Sequence, residues 1–181
     1  MLNWFLGLFR KEKVEYVPEH IDISIQDLKA GALLDYGMQS WEVIESYTYK
    51  YSGYSSKEYK IRSDKNETKF LNVTDSSKLY LSLSQEANIN NVDARLRSSI
   101  AQDQPVTKLH WQGDEYLLKE ATQGKFTEDK YQEWANFKGW EYVNSATTKF
   151  VYVSKWEDNS IECYNGLYLK EHEITNLLGP T

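Results

Sequence analysis

Alternation of apolar and polar residues is the clearest pattern in the chain, and its period of two predicts β-strands that bury one face. Residues 79–84 alternate leucine with tyrosine and serine. Residues 58–62 alternate apolar and charged side chains, which is typical of antiparallel strands. Residues 150–153 are apolar on both faces, so we expect them in a central strand. The longest alternating run predicts one face made of Trp41, Val43, Tyr47, Tyr49 and Tyr51.

A weak internal repeat relates the two halves of the chain. Residues 34–45 (LDYGMQSWEVIE) align with residues 109–120 (LHWQGDEYLLKE) at an offset of 75. Each copy has an aromatic residue, then four small or polar residues, then a second aromatic residue. We expect each copy to form a hairpin in which the two aromatic side chains face each other and the four residues between them make the turn. The flanking aromatic residues are Tyr36 and Trp41 in the first copy, and Trp111 and Tyr116 in the second.

The correspondence continues at larger offsets, so the second copy has gained residues. Residues 58–59 align with residues 141–142, and residues 70–73 align with residues 150–153. We place the extra length at 127–138, where Thr127 offers an N-cap, acidic residues follow, and a glycine comes at the end. A short helical insert is predicted there.

Two other helices are predicted. Ile89, Val92, Leu96 and Ile100 would line one side of a helix in the polar stretch that joins the two copies. Residues 169–178 are predicted as a short terminal helix that ends at a Gly-Pro pair.

These elements predict a mainly β protein, at the margin of the α+β class, with two related antiparallel β modules packed together. A short helical insert and short terminal helices complete it. We divide the chain into an apolar and basic leader at 1–20, a first β module at 21–85, a polar connection at 86–104 and a second β module at 105–181.

Composition supports a folded chain and narrows the choice of partners. With 40% apolar and 27% charged residues, the 181-residue chain is too apolar for a disordered tail and too polar for a membrane-spanning protein. The net charge of −6 offers no concentration of positive charge for phosphates, so we expect no nucleic-acid partner. The single cysteine, Cys163, cannot form an internal disulfide, which fits a reducing cytoplasm.

The first nine residues are strongly apolar and are followed by a basic run. They are far fewer than the roughly 20 that a helix needs to cross a bilayer, and they lack the cleavage site of a signal peptide. As a helix they would present an apolar stripe to a membrane surface, to a partner or to the protein's own body. The residues expected at a membrane or partner contact are Leu2, Trp4, Phe5, Phe9, Arg10 and Lys11.

The sequence carries no catalytic, metal-binding or nucleotide-binding motif. His172-Glu173 begins like a zinc-protease helix, but Asn176 stands where the second histidine is required. The three histidines are far apart, so no metal site and no cofactor are expected. Cys163 alternates with polar neighbours, as a small buried residue does. A hydrolase that uses a pair of carboxylates stays open as a less favoured hypothesis, because sequence does not locate such a pair among 27 acidic residues.

Aromatic residues are the remaining candidates for binding, since the chain has 14 Tyr, 6 Trp and 6 Phe. On alternating strands such residues more often form core than a stacking surface. An exposed set, next to the acidic second half, could instead hold a polyamine-like cation over aromatic faces and between carboxylates. The candidate binding residues are Trp41, Trp111, Tyr116, Trp156 and Glu162.

Several segments resemble the bacterial domain-of-unknown-function family 4178, from about Leu28 to Leu178. They include residues 108–118 (KLHWQGDEYLL), 150–158 (FVYVSKWED) and 173–178 (EITNLL). The resemblance implies a β-rich, non-catalytic protein and brings no catalytic residue with it. Members of that family are often encoded beside polyamine-synthesis enzymes and small membrane proteins, which implies work linked to membranes or stress.

We therefore expect a cytoplasmic, non-catalytic binding or scaffolding protein that acts through a protein partner. Residues 1–13 are a candidate for peripheral membrane contact. The alternative is a binding protein for a small, polyamine-like cation, and no catalytic residue is assigned.

Overall fold

The computed structural model describes residues 23–131 and 133–180. Among these residues, no helix has the length and hydrophobicity needed to cross a membrane. The leader at 1–20 lies outside the described residues, and so do its predicted contact residues Leu2, Trp4, Phe5, Phe9, Arg10 and Lys11.

Strands make up most of the described chain. They are β1 (Leu33–Tyr36), β2 (Gln39–Tyr51), β3 (Ser55–Ser63), β4 (Thr68–Asp75), β5 (Leu79–Glu86), β6 (Lys108–Trp111), β7 (Asp114–Glu128), β8 (Ala135–Asn144), β9 (Lys149–Trp156), β10 (Ile161–Leu169) and β11 (Ile174–Leu178). The helices are α1 (Ile89–Val92) and α2 (Leu96–Ala101), with single 3-10 turns at Ile25–Asp27 and Glu171–Glu173.

Eight strands form a closed antiparallel barrel, which confirms the mainly β prediction. Around the barrel their order is β2-β3-β4-β5-β10-β9-β8-β7, and β7 pairs back with β2. Strands β1 and β11 extend the sheet beyond β2, and β6 extends it beyond β7. Each half of the chain supplies four barrel strands, so the two predicted modules share one barrel.

Most of the buried aliphatic side chains lie on the outer face of the barrel, in two clusters. The first includes Leu71, Leu81 and Leu83 and lies under β1 and β11. The second lies under α1 and α2, whose Leu96 and Ile100 are fully buried against barrel strands. Burial of each such side chain stabilises the fold by about 1.5–3 kcal/mol, so the barrel is held largely from outside.

The predicted helix through residues 89–100 is confirmed, with one interruption. Ile89, Val92, Leu96 and Ile100 are all buried in the second cluster, but they divide between α1 and α2. Asp93 is the C-cap of α1, and its carboxylate accepts a hydrogen bond of 2.9 Å from the backbone N–H of Arg95, the residue before α2.

The predicted helical insert at 127–138 is wrong. Strand β7 continues to Glu128 because it pairs with β2, where Tyr47 lies opposite Glu128, and β8 begins at Ala135. The predicted terminal helix at 169–178 is also wrong, because Ile174–Leu178 pairs with β1 as an edge strand. In both places the backbone N–H and C=O groups form hydrogen bonds with a neighbouring strand. These bonds replace the ones that a helix would have made within itself.

The two predicted hairpins are present, but their turns are shorter than expected. The turn of β1–β2 is Gly37-Met38 and that of β6–β7 is Gln112-Gly113, and all four residues have positive φ. This is the geometry of a two-residue type I′ turn. As a result the flanking aromatic residues are not opposite each other, and Trp41 pairs with Leu34 while Tyr116 pairs with Leu109.

Candidate functional site

A β-bulge in β2 changes which side chains face the barrel interior. Val43 pairs with Ile61 on the outer face, and the next pair along the ladder is Glu45 with Lys60. Ile44 is therefore an extra residue with no partner in β3. An extra residue shifts the alternation by one, so every side chain after it points to the opposite face of the sheet.

The bulge turns Tyr47, Tyr49 and Tyr51 into the barrel. Tyr47 lies opposite Glu58 in the ladder, and directly paired side chains share a face. The prediction that these tyrosines share a face with Val43 is therefore wrong. They line the interior instead of the outer hydrophobic cluster.

A second bulge lies at Lys119 in β7, between Leu118 and Glu120. It follows the bulge at Ile44 by 75 positions, which is the offset found in the sequence. Leu118 packs on the outer cluster, whereas Glu120 faces inward. Two long strands thus pass from an outer hairpin into the barrel wall and bring acidic and aromatic side chains inside.

The barrel encloses a cavity of about 180 Å³, which we call the central cavity. Its described lining consists of aromatic, hydroxyl, amide and glutamate side chains, without an aliphatic side chain, lysine or arginine. This follows from strand alternation: in β5, Leu81 and Leu83 pack outside while Ser82 and Ser84 line the cavity. The interior of this barrel is its polar face.

Glu58 is the most perturbed acid in the central cavity. Its carboxylate accepts a hydrogen bond of 3.0 Å from the Tyr49 hydroxyl. Burial raises the pKa of Glu58 to about 7, and the charge of Glu162 adds to the increase, while Tyr49 and Asn72 only partly offset it as hydrogen-bond donors. Glu58 is therefore balanced between its neutral and ionised forms near neutral pH.

The other cavity acids include two that are held by tyrosines in the same way. Glu162 accepts a hydrogen bond of 3.0 Å from Tyr164, and Glu141 accepts one of 2.5 Å from Tyr168. Glu141 also lies 3.4 Å from the ammonium group of Lys119, at the second bulge. A carboxylate has four acceptor positions, so each acid keeps capacity for a further donor.

An open depression of about 500 Å³, the acidic mouth, adjoins the central cavity and shares the side chains of Glu58 and Glu162 with it. Its single lysine, Lys60, lies 3.0 Å from Glu45 and is thereby neutralised. Cavity and mouth together are lined by seven acidic side chains and one basic one. The acids are Glu58, Glu86, Glu120, Glu141, Glu157, Asp158 and Glu162.

Aromatic rings form one wall between the cavity and the mouth. The Trp156 ring lies 5.1 Å from that of Phe126 and 5.6 Å from that of Phe137, measured between centroids. Tyr49 packs on both phenylalanines, at 5.1 and 5.6 Å. Such a wall can take a cation over a ring face, an interaction of about 0.5–2 kcal/mol.

Among the described residues, the Trp156 indole N–H has no hydrogen-bond partner, and the Tyr152 hydroxyl has none apart from its neighbour Thr122. The Tyr152 hydroxyl lies over Gly139, where a Cβ atom would be 1.9 Å away. The Thr122 hydroxyl lies beside that of Tyr152.

The structure separates the five predicted binding residues into two groups. Trp156 and Glu162 line the central cavity. Trp41 and Tyr116 are only 2% and 3% exposed within the outer clusters, and Trp111 packs on the second cluster, so these three have little surface for a ligand.

Sequence reasoning missed Glu58, Tyr49 and Tyr152. Charged Glu58 alternates with apolar neighbours such as Tyr59, which is buried, and this alternation predicts a strand with one face in solvent. The opposite face is the barrel interior and not solvent. A usable signal was present in β4 and β5, where aliphatic residues alternate with serine and asparagine rather than with lysine and glutamate.

Two other features fit a ligand site less well. In the part of the chain that the structure describes, no three His, Cys, Asp or Glu side chains are arranged to hold a metal ion. A larger depression of about 710 Å³ is lined by lysines, but Lys138 and Lys155 bind Asp103 at 2.8 and 3.1 Å. Its charge is thus partly neutralised, whereas in the central cavity only Glu141 has a lysine partner.

Comparison with known proteins places these features in a family context. The sequence profile of a family described as "Domain of unknown function (DUF4178)" matches residues 29–171, a range that contains all residues of the central cavity. An uncharacterized protein of Aquifex aeolicus (strain VF5) is 26% identical over 172 residues, which cover 94% of each chain. No solved structure matches.

Proposed function

This chain belongs to the family of the domain of unknown function DUF4178, and from that premise we propose that it is a non-catalytic binding protein whose central cavity takes up a small organic cation. The family supplies no ligand, so the proposal rests on the cavity. A polyamine-like amine is the ligand class that the acidic and aromatic composition favours.

The charge of the interior carries this proposal. Seven acidic side chains and one lysine line the cavity and its mouth, and that lysine is already bound to Glu45. Burial raises the pKa of Glu58, and repulsion from the charge of Glu162 adds to the increase. A ligand cation would relieve this repulsion, and the acidic mouth would raise its local concentration.

The size and surface of the cavity favour a small ligand. A volume of about 180 Å³ is below the roughly 300–1,000 Å³ of pockets for drug-sized molecules and close to that of a cavity that holds benzene. Aromatic rings and dispersed carboxylates suit an ammonium group attached to a short carbon chain better than a bare metal ion, which needs converging ligands.

Calorimetry with short amines tests the proposal. We would titrate n-butylamine, 1,4-diaminobutane and spermidine into the protein at physiological salt, with neutral 1-butanol for comparison. We expect saturable binding of at least one amine and none of 1-butanol. At pH 8, where most Glu58 is ionised, Glu58→Gln and Glu162→Gln should weaken binding by about tenfold or more, because each removes a carboxylate that can hold the ammonium group.

The matched control is Glu67→Gln, which removes an exposed carboxylate outside the cavity. It should bind amines as the unmodified protein does. If no amine binds saturably, or if Glu67→Gln weakens binding as much as Glu58→Gln, the proposal is wrong.

A carboxylate-pair hydrolase is the second candidate, because Glu58 has a pKa of about 7 and lies near Glu162. A carboxyl group of raised pKa near a second carboxyl group is the arrangement of a general acid with its partner. We place it second because a hydrolase must fit substrate, attacking water and leaving group into the same 180 Å³. Release of product from aryl glycosides or esters, lost in Glu58→Gln, would favour it over binding alone.

Protein scaffolding and membrane contact through residues 1–13 remain hypotheses. Liposome flotation compares the full chain with a variant that lacks residues 1–13. Equal flotation of the two would contradict the membrane part, and loss of flotation in the shortened chain would support it.

We also interpret the chain as an internal duplication. The bulges at Ile44 and Lys119 lie 75 positions apart. In the β2–β7 ladder Tyr49 pairs with Phe126 and Tyr51 pairs with Gly124. The same offset relates Tyr49 to Gly124 and Tyr51 to Phe126, so it converts each of these two pairs into the other. Two half-barrels that meet in this way account for a site that draws acids from both halves.

A further inference from the structure

We propose that the outer surface of the barrel carries a docking site for an acidic segment of a protein partner, in which a carboxylate of the partner bridges Lys50 and Lys125. The site is the open depression of about 710 Å³, and the proposal does not depend on the ligand of the central cavity. Four lysines line the depression, and we call them the lysine face: Lys50, Lys125, Lys138 and Lys155.

Strand pairing places these lysines on one side of the sheet, in two directly opposed pairs. Lys50 lies opposite Lys125 in the β2–β7 ladder, and Lys138 lies opposite Lys155 in the β8–β9 ladder. Gln123, two positions before Lys125 in β7, lies opposite Lys138, so all four lysines share a side. It is the outer side, because the neighbours of Lys138 and Lys155 along β8 and β9 line the central cavity.

One of the two pairs already binds a carboxylate. Like charges directly opposite each other destabilise a sheet, so each lysine pair has a cost unless an anion lies against it. Asp103, which follows α2, lies 2.8 Å from the ammonium group of Lys138 and 3.1 Å from that of Lys155. Hydrogen bonds from these two lysines lower the pKa of Asp103, which keeps its carboxylate ionised.

The other pair has no such anion among the described residues. Lys50 and Lys125 are both exposed, and Lys50 lies over the Trp134 ring, 4.6 Å from its centroid, which positions the ammonium group without neutralising it. The described lining of the depression holds one acid, Glu157. Four lysines against Glu157 and Asp103 leave a net charge of +2, in a chain whose net charge is −6.

The spacing of the lysine face suits a polypeptide with several carboxylates. The four lysines lie on four adjacent strands, so they spread over about 14 Å and do not converge on a single anion. Asp103 shows that a protein carboxylate fits one pair, and the same chemistry fits the other. Side chains that can pair with a peptide backbone also line the depression, namely the amides of Gln123, Asn136 and Asn159.

Fluorescence polarisation with a labelled acidic peptide tests the proposal. The probe is a fluorescein-labelled peptide of alternating glutamate and glycine, and the reference is the same peptide with glutamine in place of glutamate. We expect saturable binding of the glutamate peptide at about 50 mM salt, a large loss of affinity at about 500 mM salt, and no binding of the glutamine peptide.

Two variants change the lysine face in opposite directions. Lys50→Gln combined with Lys125→Gln removes the lysine pair that lacks an anion, and it should weaken binding of the glutamate peptide about fivefold or more. Asp103→Asn releases Lys138 and Lys155 for the peptide, and it should tighten binding about threefold. A merely structural role of these residues would not produce a gain in affinity.

The matched control combines Lys29→Gln with Lys65→Gln, which removes two exposed lysines outside the depression and changes the net charge equally. It should leave the affinity nearly unchanged. The proposal is wrong if the glutamate peptide does not bind, or if this control weakens binding as much as the change at Lys50 and Lys125. Unchanged or weaker binding in Asp103→Asn would contradict the part assigned to the second lysine pair.

Two further outcomes would assign the lysine face to another occupant. Tighter binding of a single-stranded oligothymidylate with the same number of charges would overturn the choice of a protein partner. A dimer in sedimentation without peptide, dissociated by the change at Lys50 and Lys125, would make a second copy of this chain the occupant and would likewise overturn the proposal.

Discussion

Replacement of Glu58 by glutamine should remove a specific dependence of stability on pH. Glu58 has an ordinary pKa of 4.5 in the unfolded chain and a pKa of about 7 in the barrel, because burial disfavours its charge. Between these values the folded state holds a proton that the unfolded state has released. The contribution of Glu58 to stability is therefore fully present below pH 4.5 and is lost as pH rises toward 7.

The size of the effect follows from the two pKa values. Each pH unit between 4.5 and 7 lowers the free energy of unfolding by up to about 1.4 kcal/mol, for a full loss of about 3 kcal/mol. Solvent in the cavity reduces this figure, so we expect about 1–3 kcal/mol. Glutamine does not ionise, so the unfolding free energy of the Glu58→Gln variant lacks this pH-dependent contribution.

Urea unfolding of both proteins from pH 5 to pH 9 measures the difference directly. Other carboxylates titrate in both proteins, so their contributions cancel. We expect the unmodified protein to lose stability relative to Glu58→Gln up to about pH 7 and to hold a constant difference above pH 8. Glu67→Gln should show no such trend. If the difference in unfolding free energy between the two proteins stays constant across this range, Glu58 is solvated like an ordinary surface glutamate. That result would refute the low-dielectric cavity.

Three further predictions test the packing of the barrel. Gly139→Ala should destabilise the protein by about 1–3 kcal/mol in urea unfolding, because its Cβ would lie 1.9 Å from the Tyr152 hydroxyl. Tyr152→Phe in the same chain should recover part of the lost stability. No recovery would contradict this contact. Tyr142→Phe should be neutral or stabilising by up to about 1 kcal/mol, since the buried Tyr142 hydroxyl has no partner among the described residues; a loss above that size would reveal a hydrogen bond to this hydroxyl. Cys163 is buried, and burial raises its pKa to about 12. A thiol reagent at pH 8 should therefore modify it only as fast as the protein unfolds. Rapid modification of the folded protein would show that solvent reaches the second cluster.

Alternation in the sequence predicts the outer face of the barrel well, because that face obeys local rules. Leu81, Leu83 and Ile61 are buried on it as expected. The bulge at Ile44 has no compositional sign, and it reverses the face of every later residue in β2. Sequence therefore placed Tyr47 and Tyr49 on the wrong side of the sheet.

The wrong helices have the same origin in distant pairing. Residues 127–138 carry a helix start and stop, but β2 offers the end of β7 a ladder partner about 80 positions away in the chain. Residues 174–178 find theirs in β1 at the opposite end of the described chain. Where a strand edge is available for pairing, the hydrogen bonds of the sheet outweigh the local preference for a helix.

Composition indicated an acidic and aromatic site but not its location. Trp156 and Glu162 line the cavity as candidates named from the sequence, while Glu58 went unnoticed beside Tyr59. Glu58 and Glu162 lie in different halves of the chain, on β3 and β10, and only closure of the barrel brings them to one cavity.

A crystal structure of the protein grown with 1,4-diaminobutane tests the central claim most directly. We expect electron density for the ligand inside the barrel, with its ammonium group about 3 Å from a carboxylate oxygen of Glu58 or Glu162. Density for the amine only on the outer surface, with the central cavity holding water alone, would contradict the account.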